Sequence, residues 1–177
     1  MSAILSSRHW LAVALALPLA ALPVVSGAAM YTNGSKTAAF DVTLTFVAEC
    51  TIGAAAPLAF VAASGVLSSA ITASSNITVT CTSSTPYNLG LTGGTGVGSL
   101  GTLRYMSGTG LNTSTVQFNL FQSSNYTTPW GNVQGTDTTS GTGTGTPQIL
   151  TVYGQIPVQI SPPPDAYKSI VTAVVYF

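Results

Sequence analysis

Charge is the first thing this chain has little of. Of its 177 residues only 5 % are charged, four Lys or Arg against four Asp or Glu, and the formal net charge is zero. Nothing here builds a basic patch, which argues against nucleic-acid binding and against electrostatic attachment to anionic membranes. Disorder needs low hydrophobicity as well as polarity, and hydrophobic residues make up 46 % of the chain. The length fits a single domain.

A long hydrophobic run is also missing. The best candidate, Trp10 to Val25, follows Arg8 and His9, is interrupted by Pro18 and Pro23, and ends in Ser26, Gly27, Ala28 and Ala29. It is shorter than the ~20 apolar residues of a spanning helix. A positive start, an apolar centre and a small-residue exit predict a secretory signal peptide over residues 1–28, cleaved after Ala28 or Ala29. The mature chain is then expected to be exported, with no membrane span.

Histidine is the third scarcity, because the only one, His9, leaves with that segment. A Ser-His-Asp or Cys-His arrangement is then excluded, as are the commonest zinc ligands. The remaining acids (Asp41, Glu49, Asp137, Asp165) and bases (Lys36, Arg104, Lys168) are scattered. Paired carboxylates could serve a glycosidase, yet nothing in their spacing points to one. No catalytic or metal-binding residues and no cofactor are expected. Two cysteines, Cys50 and Cys81, in an exported chain predict a disulfide. Closing that loop restricts the unfolded chain by about 3–4 kcal/mol in the entropy model.

What is abundant is β-forming sequence. Phe40, Val42, Leu44 and Phe46 alternate with Asp41, Thr43 and Thr45, the period of a strand with one apolar face. Further strands are predicted at Leu58–Val61, Asn76–Cys81, Tyr87–Leu91, Leu103–Met106, Val116–Gln122, Ile149–Tyr153, Ile156–Ile160 and Ile170–Phe177. Gly, Pro, Asn and Ser clusters separate them, and no helical stripe competes, so an all-β sandwich is expected. Thr136–Thr146 (TDTTSGTGTGT) reads as an exposed, mobile loop. Gly96–Gly101 (GVGSLG) matches the dinucleotide fingerprint literally, but a strand follows it and no acid lies at the required offset. It is read as a turn.

Several stretches resemble the spore coat protein U domain family, which includes subunits of archaic chaperone–usher (Csu-type) pili. Leu111–Gly131, LNTSTVQFNLFQSSNYTTPWG, is similar to the family's Y-N-L-Y strand, polar turn and W-G. Leu150–Pro157, LTVYGQIP, resembles V-Y-G-x-I-P, and Asp165–Phe177, DAYKSIVTAVVYF, resembles the Tyr and final aromatic-ended strand. Cys50 in AECTI and Cys81 in ITVTC fit the paired cysteines. The likeness runs from about Ala38 to Phe177. It departs from the pattern at Ala166 and Ser169, where the family usually has Gly and Asp, and in the turn at Gln122–Tyr126, which lacks the usual acid.

The resemblance implies an incomplete immunoglobulin-like β-sandwich, one strand short, completed by donor-strand complementation. Residues 29–47 would be the donor segment, with Phe40, Val42, Leu44 and Phe46 as its insertable face, and residues 48–177 the domain. Burying four such side chains is worth roughly 6–12 kcal/mol before ordering costs. Head-to-tail insertion generates a filament. The implied partners are identical or related subunits, a periplasmic chaperone bound along the last strand (Val175, Tyr176, Phe177), and an outer-membrane usher. The implied location is the periplasm in transit and then the cell surface, in a pilus supporting attachment and biofilm formation. A spore or cell-surface coat role in the same family is one alternative. Another is a secreted binding module using loop aromatics, Trp130 and Tyr126, to hold a ligand.

Overall fold

The period-two alternation of the sequence becomes strands, and the inward residues of those strands become the core. The structure, a computed structural model, describes residues 34–63 and 66–177. The predicted signal peptide lies outside the described residues. Among those residues there are nine strands and no helix: β1 (Cys50–Ile52), β2 (Ile71–Cys81), β3 (Pro86–Leu91), β4 (Arg104–Gly108), β5 (Thr115–Phe121), β6 (Thr139–Thr142), β7 (Gln148–Ile156), β8 (Tyr167–Lys168) and β9 (Ala173–Tyr176). In β2 the side chains of Ile77, Val79 and Cys81 are buried while Thr72, Ser74 and Asn76 are exposed. That is the half-buried pleat expected of a sheet with one wet face.

All pairings are antiparallel, in two sheets. Six strands run in the order β1-β2-β7-β5-β4-β8, and three in the order β6-β3-β9. The longest ladder, β2 with β7, runs from Ile71 opposite Ile156 to Val79 opposite Gln148. One hydrophobic cluster joins the sheets: Ile77 and Val79 of β2, Phe118 and Leu120 of β5 and Val152 of β7 on one side, Leu89 and Leu91 of β3 on the other. The fold is an all-β sandwich. It is built within residues 44–177; residues 34–43 belong to a separate unit and carry no regular secondary structure.

Four expectations are corrected. Leu58–Val61 and Ile156–Ile160 are not separate strands; β7 instead runs straight through Gly154 to end at Ile156. Phe40–Phe46 is not a strand either, because a strand forms only where a ladder partner is present. The Gly/Thr stretch 136–146 contains β6, whose backbone pairs with β3 from Pro86–Thr142 to Leu89–Thr139. Ladder hydrogen bonds need no apolar side chain, so composition hid that strand. β1 and β8, three and two residues long, are too short to show a period. Gly96–Gly101 is a turn as read, with Gly98 and Gly101 at φ of 87° and 58°, a conformation that favours glycine.

Candidate functional site

The three-stranded sheet ends in an unpaired edge. β9 pairs with β3 along one side, from Ala173 opposite Leu91 to Tyr176 opposite Asn88. Among the described residues no strand pairs with its other side. A free edge presents a row of backbone donors and acceptors ready for another chain. Facing it across the sandwich runs the segment that follows β1. Gly53 N–H donates to the Thr78 carbonyl at 2.8 Å and Ala56 N–H to that of Asn76 at 3.3 Å. Beyond Ala56 this segment leaves β2 and carries no strand pairing.

Between these two rims two clefts lie over the core, whose side chains are themselves largely buried beneath Leu58 and Phe60. One cleft of about 430 Å³ is lined by Leu58 and Phe60 of the segment, by Ile77, Phe118, Leu120 and Val152 of the large sheet, and by Leu91 and Ala173 of the small one. A second, of about 530 Å³, shares Leu58, Phe60 and Met106 with the first and continues past Ile71, Val116 and Ile156 to Pro162–Pro164 and Tyr167. Together they form one groove with the sandwich interior as its floor. Its chemistry is apolar, with backbone polar groups along the β9 rim, so it fits an extended chain with alternate apolar side chains.

Local features hold the groove open in this shape. Gly154 in β7 leaves room for the rim: a Cβ there would lie 2.8 Å from Leu58 Cδ2 and 3.0 Å from Phe60 Cζ. The Cys50–Cys81 disulfide joins directly opposed residues of β1 and β2 and pins the start of the rim. Arg104 on β4 ties the large sheet to the small one. Its Nη2 donates to the carbonyls of Leu91 and Trp130 at 2.8 and 2.7 Å, and its Nε to Thr92 at 3.0 Å. Burial pulls this guanidinium down to about 10, with the Asp137 carboxylate acting in the opposite direction. Sequence reasoning had placed Arg104 only among scattered bases. No local pattern marks it as inward, since its carbonyl partners lie 12 to 26 residues away.

The predicted site residues fall into three places. Cys50 and Cys81 are brought together. Val175 and Tyr176 lie on β9 beside the groove, half-buried, with the Tyr176 hydroxyl donating to Asn132 Oδ1 at 3.1 Å; Phe177 follows them and is exposed. Phe40, Val42, Leu44 and Phe46 are all at least 80 % exposed, an unusual state for four alternating large apolar side chains. The ligand-binding reading of Trp130 is corrected: its side chain is buried, and Nε1 donates to the Leu89 carbonyl at 2.8 Å. Tyr126 is half-buried, its ring edge-on to Phe121 and Tyr153 at centroid distances of 5.6 and 6.5 Å.

Comparison with solved structures gives the same fold. The chain matches one chain of the crystal structure of the CsuC-CsuE chaperone-tip adhesion subunit pre-assembly complex from archaic chaperone-usher Csu pili of Acinetobacter baumannii. The TM-score is 0.50 at 22 % identity, covering 74 % of this chain. The match spans only 40 % of that other chain's length. No curated protein matches. The family model for the Spore Coat Protein U domain matches residues 36–174, a span that takes in the exposed apolar segment, the disulfide, the groove and the first half of β9. The chain belongs to the Spore Coat Protein U domain family.

Proposed function

We propose that this protein is a structural subunit of a surface pilus, assembled through the chaperone–usher pathway by donor-strand exchange. The observation that carries the reading is the apolar groove between the free edge of β9 and the unpaired rim after β1, matched by an exposed strand-like segment at Phe40–Phe46. The same polypeptide thus has an unfilled strand position and an unpartnered strand. Donation from one copy to the next satisfies both and leaves a new open groove at one end, so growth is head-to-tail. Residues 29–47 act as the donor arm, and residues 48–177 as the acceptor domain.

Before assembly the groove needs a temporary occupant. A periplasmic chaperone strand along β9 (Val175, Tyr176, Phe177) supplies it, and an outer-membrane usher exchanges it for the arm. Export by the signal peptide, surface location and a role in attachment and biofilm formation follow from that scheme. The protein acts by assembly, with no catalytic step. The decisive experiment is deletion of Ala38–Val47: the subunit is expected to remain soluble with its chaperone and to form no fibres. Normal fibres from that deletion end the proposal. The family's description favours a second reading, a coat layer built from the same strand exchange, and immunogold labelling of cell surfaces separates pili from a coat.

A further inference from the structure

We propose that the Cys50–Cys81 crosslink and the three residues Val47–Glu49 form a device that prevents the donor arm from filling its own groove. This rests on the donor-arm reading and adds why the arm must go to a second copy. The direction of each element decides it. Cys50 faces Cys81 at one end of β2, and the turn at Thr82–Thr85 leads from there directly into β3 at Pro86. Tyr176 pairs near the start of β3 and Ala173 at its far end, so β9 runs toward the disulfide end. The rim after Cys50 runs the opposite way, from the disulfide end outward.

An arm antiparallel to β9 would place Phe40 at the disulfide end and Phe46 about 20 Å farther along, at ~3.4 Å per residue. The chain must then return to Cys50, which is fixed at the disulfide end. Four residue steps from Phe46 to Cys50 reach about 14 Å fully extended. The antiparallel mode is therefore closed to the arm's own domain and open to a neighbour's arm.

The parallel mode demands a tight reversal between Phe46 and Cys50. The link is Val47-Ala48-Glu49, with no Gly, Asn, Asp or Pro to take the left-handed or pre-set angles of a short hairpin. Leu44, Phe46 and Val47 are accordingly exposed and unpaired. Crosslinking holds the pivot still: β1 has only three paired residues, and without the disulfide its release would lengthen the tether.

The test refolds the oxidised full chain at 10 µM and resolves it on unheated denaturing gels, with hydrogen exchange of the Phe40–Phe46 amides in parallel. Three variants accompany it: a ten-residue Gly/Ser insertion between Ala48 and Glu49, the C50S/C81S double substitution, and deletion of Ala38–Val47. Wild type should give a ladder. With the insertion, an effective concentration near 1 mM against 10 µM in solution should cut multimers about 100-fold and protect the arm in a monomer. C50S/C81S should shift the same way, and the insertion variant, which keeps the crosslink, decides the matter if that protein fails to fold. A ladder unchanged by the insertion, or a wild-type monomer with a protected arm, overturns the proposal. A ladder that survives deletion of Ala38–Val47, or a wild-type monomer whose arm exchanges freely, overturns the donor-arm reading instead.

Discussion

Replacing Phe46 with Asp separates folding from assembly more sharply than any change in the core. Phe46 is 84 % exposed in the structure, so its loss should change the stability of the domain by no more than about 0.5 kcal/mol, the usual range for an exposed site. In a neighbour's groove the same position would lie among Leu58, Phe60 and the floor residues. There the change forfeits about 1.5–3 kcal/mol of phenyl burial. It also places a carboxylate in an apolar channel, a further cost of about 2 kcal/mol or more. The sum weakens donation by roughly 300-fold or more, at tenfold per 1.4 kcal/mol. Acceptance is untouched, because the groove of the variant is intact. Phe46→Asp subunits should therefore act as chain terminators: they accept an arm and offer none. Mixed with wild type during refolding at one part in ten, they should reduce mean fibre length to about ten subunits, since every filament ends at its first non-donor. Fibre lengths measured by electron microscopy check this. If the variant polymerises alone like wild type, or if admixture leaves fibre length unchanged, the arm is not the donor and the reasoning fails.

Two further predictions concern the acceptor. Arg104→Met removes three donors from the buried carbonyls of Leu91, Thr92 and Trp130, and nothing nearby replaces them. Leaving such acceptors unpaired should cost about 3–5 kcal/mol even after the relief of removing a buried charge, read as a lower urea midpoint of assembled protein. Tyr87 lies buried beside Gly141, and burial raises its phenol above the ordinary range near 10. The unfolded chain then ionises before the folded one, so stability is complete below pH 10 and falls as pH rises above it. Tyr87→Phe should remove that alkaline slope and change little at pH 7, as thermal melts across pH 7 to 11 would show.

How far the sequence is legible depends on what each feature is made of. Strands with an apolar face were readable: Asn76–Cys81, Tyr87–Leu91 and Val116–Gln122 lie within or close to β2, β3 and β5, because alternation records which side meets the core. β6 was not readable, since Thr139–Thr142 contributes only backbone to the sheet, and a ladder leaves no mark on composition. Trp130 and Arg104 are misleading in the same way. An aromatic in a loop and a charge on a strand both look exposed until Leu89, Leu91 and Thr92 are seen to offer them carbonyls. Those partners are 41, 13 and 12 residues away, beyond any local pattern.

Phe40–Phe46 is the instructive case, because there the pattern and the structure disagree in a way that motivates the proposed assembly. The alternation is as clean as in β2, yet the four side chains are exposed and the backbone is unpaired. Periodicity reports that a segment is suited to a half-buried sheet, and it is silent on whose sheet that is. The groove supplies the second half of the statement. Its rims are a free β9 edge and a segment that leaves β2 after Ala56, and its floor is the shared core of both sheets. An amphipathic segment without a sheet, a sheet without a partner on its last strand, and a linker too short to join them antiparallel to β9 are together what the proposed head-to-tail assembly requires. The low charge fits the same proposal: a donated arm and its acceptor groove would meet through apolar contact and backbone hydrogen bonds, neither of which needs ionised side chains.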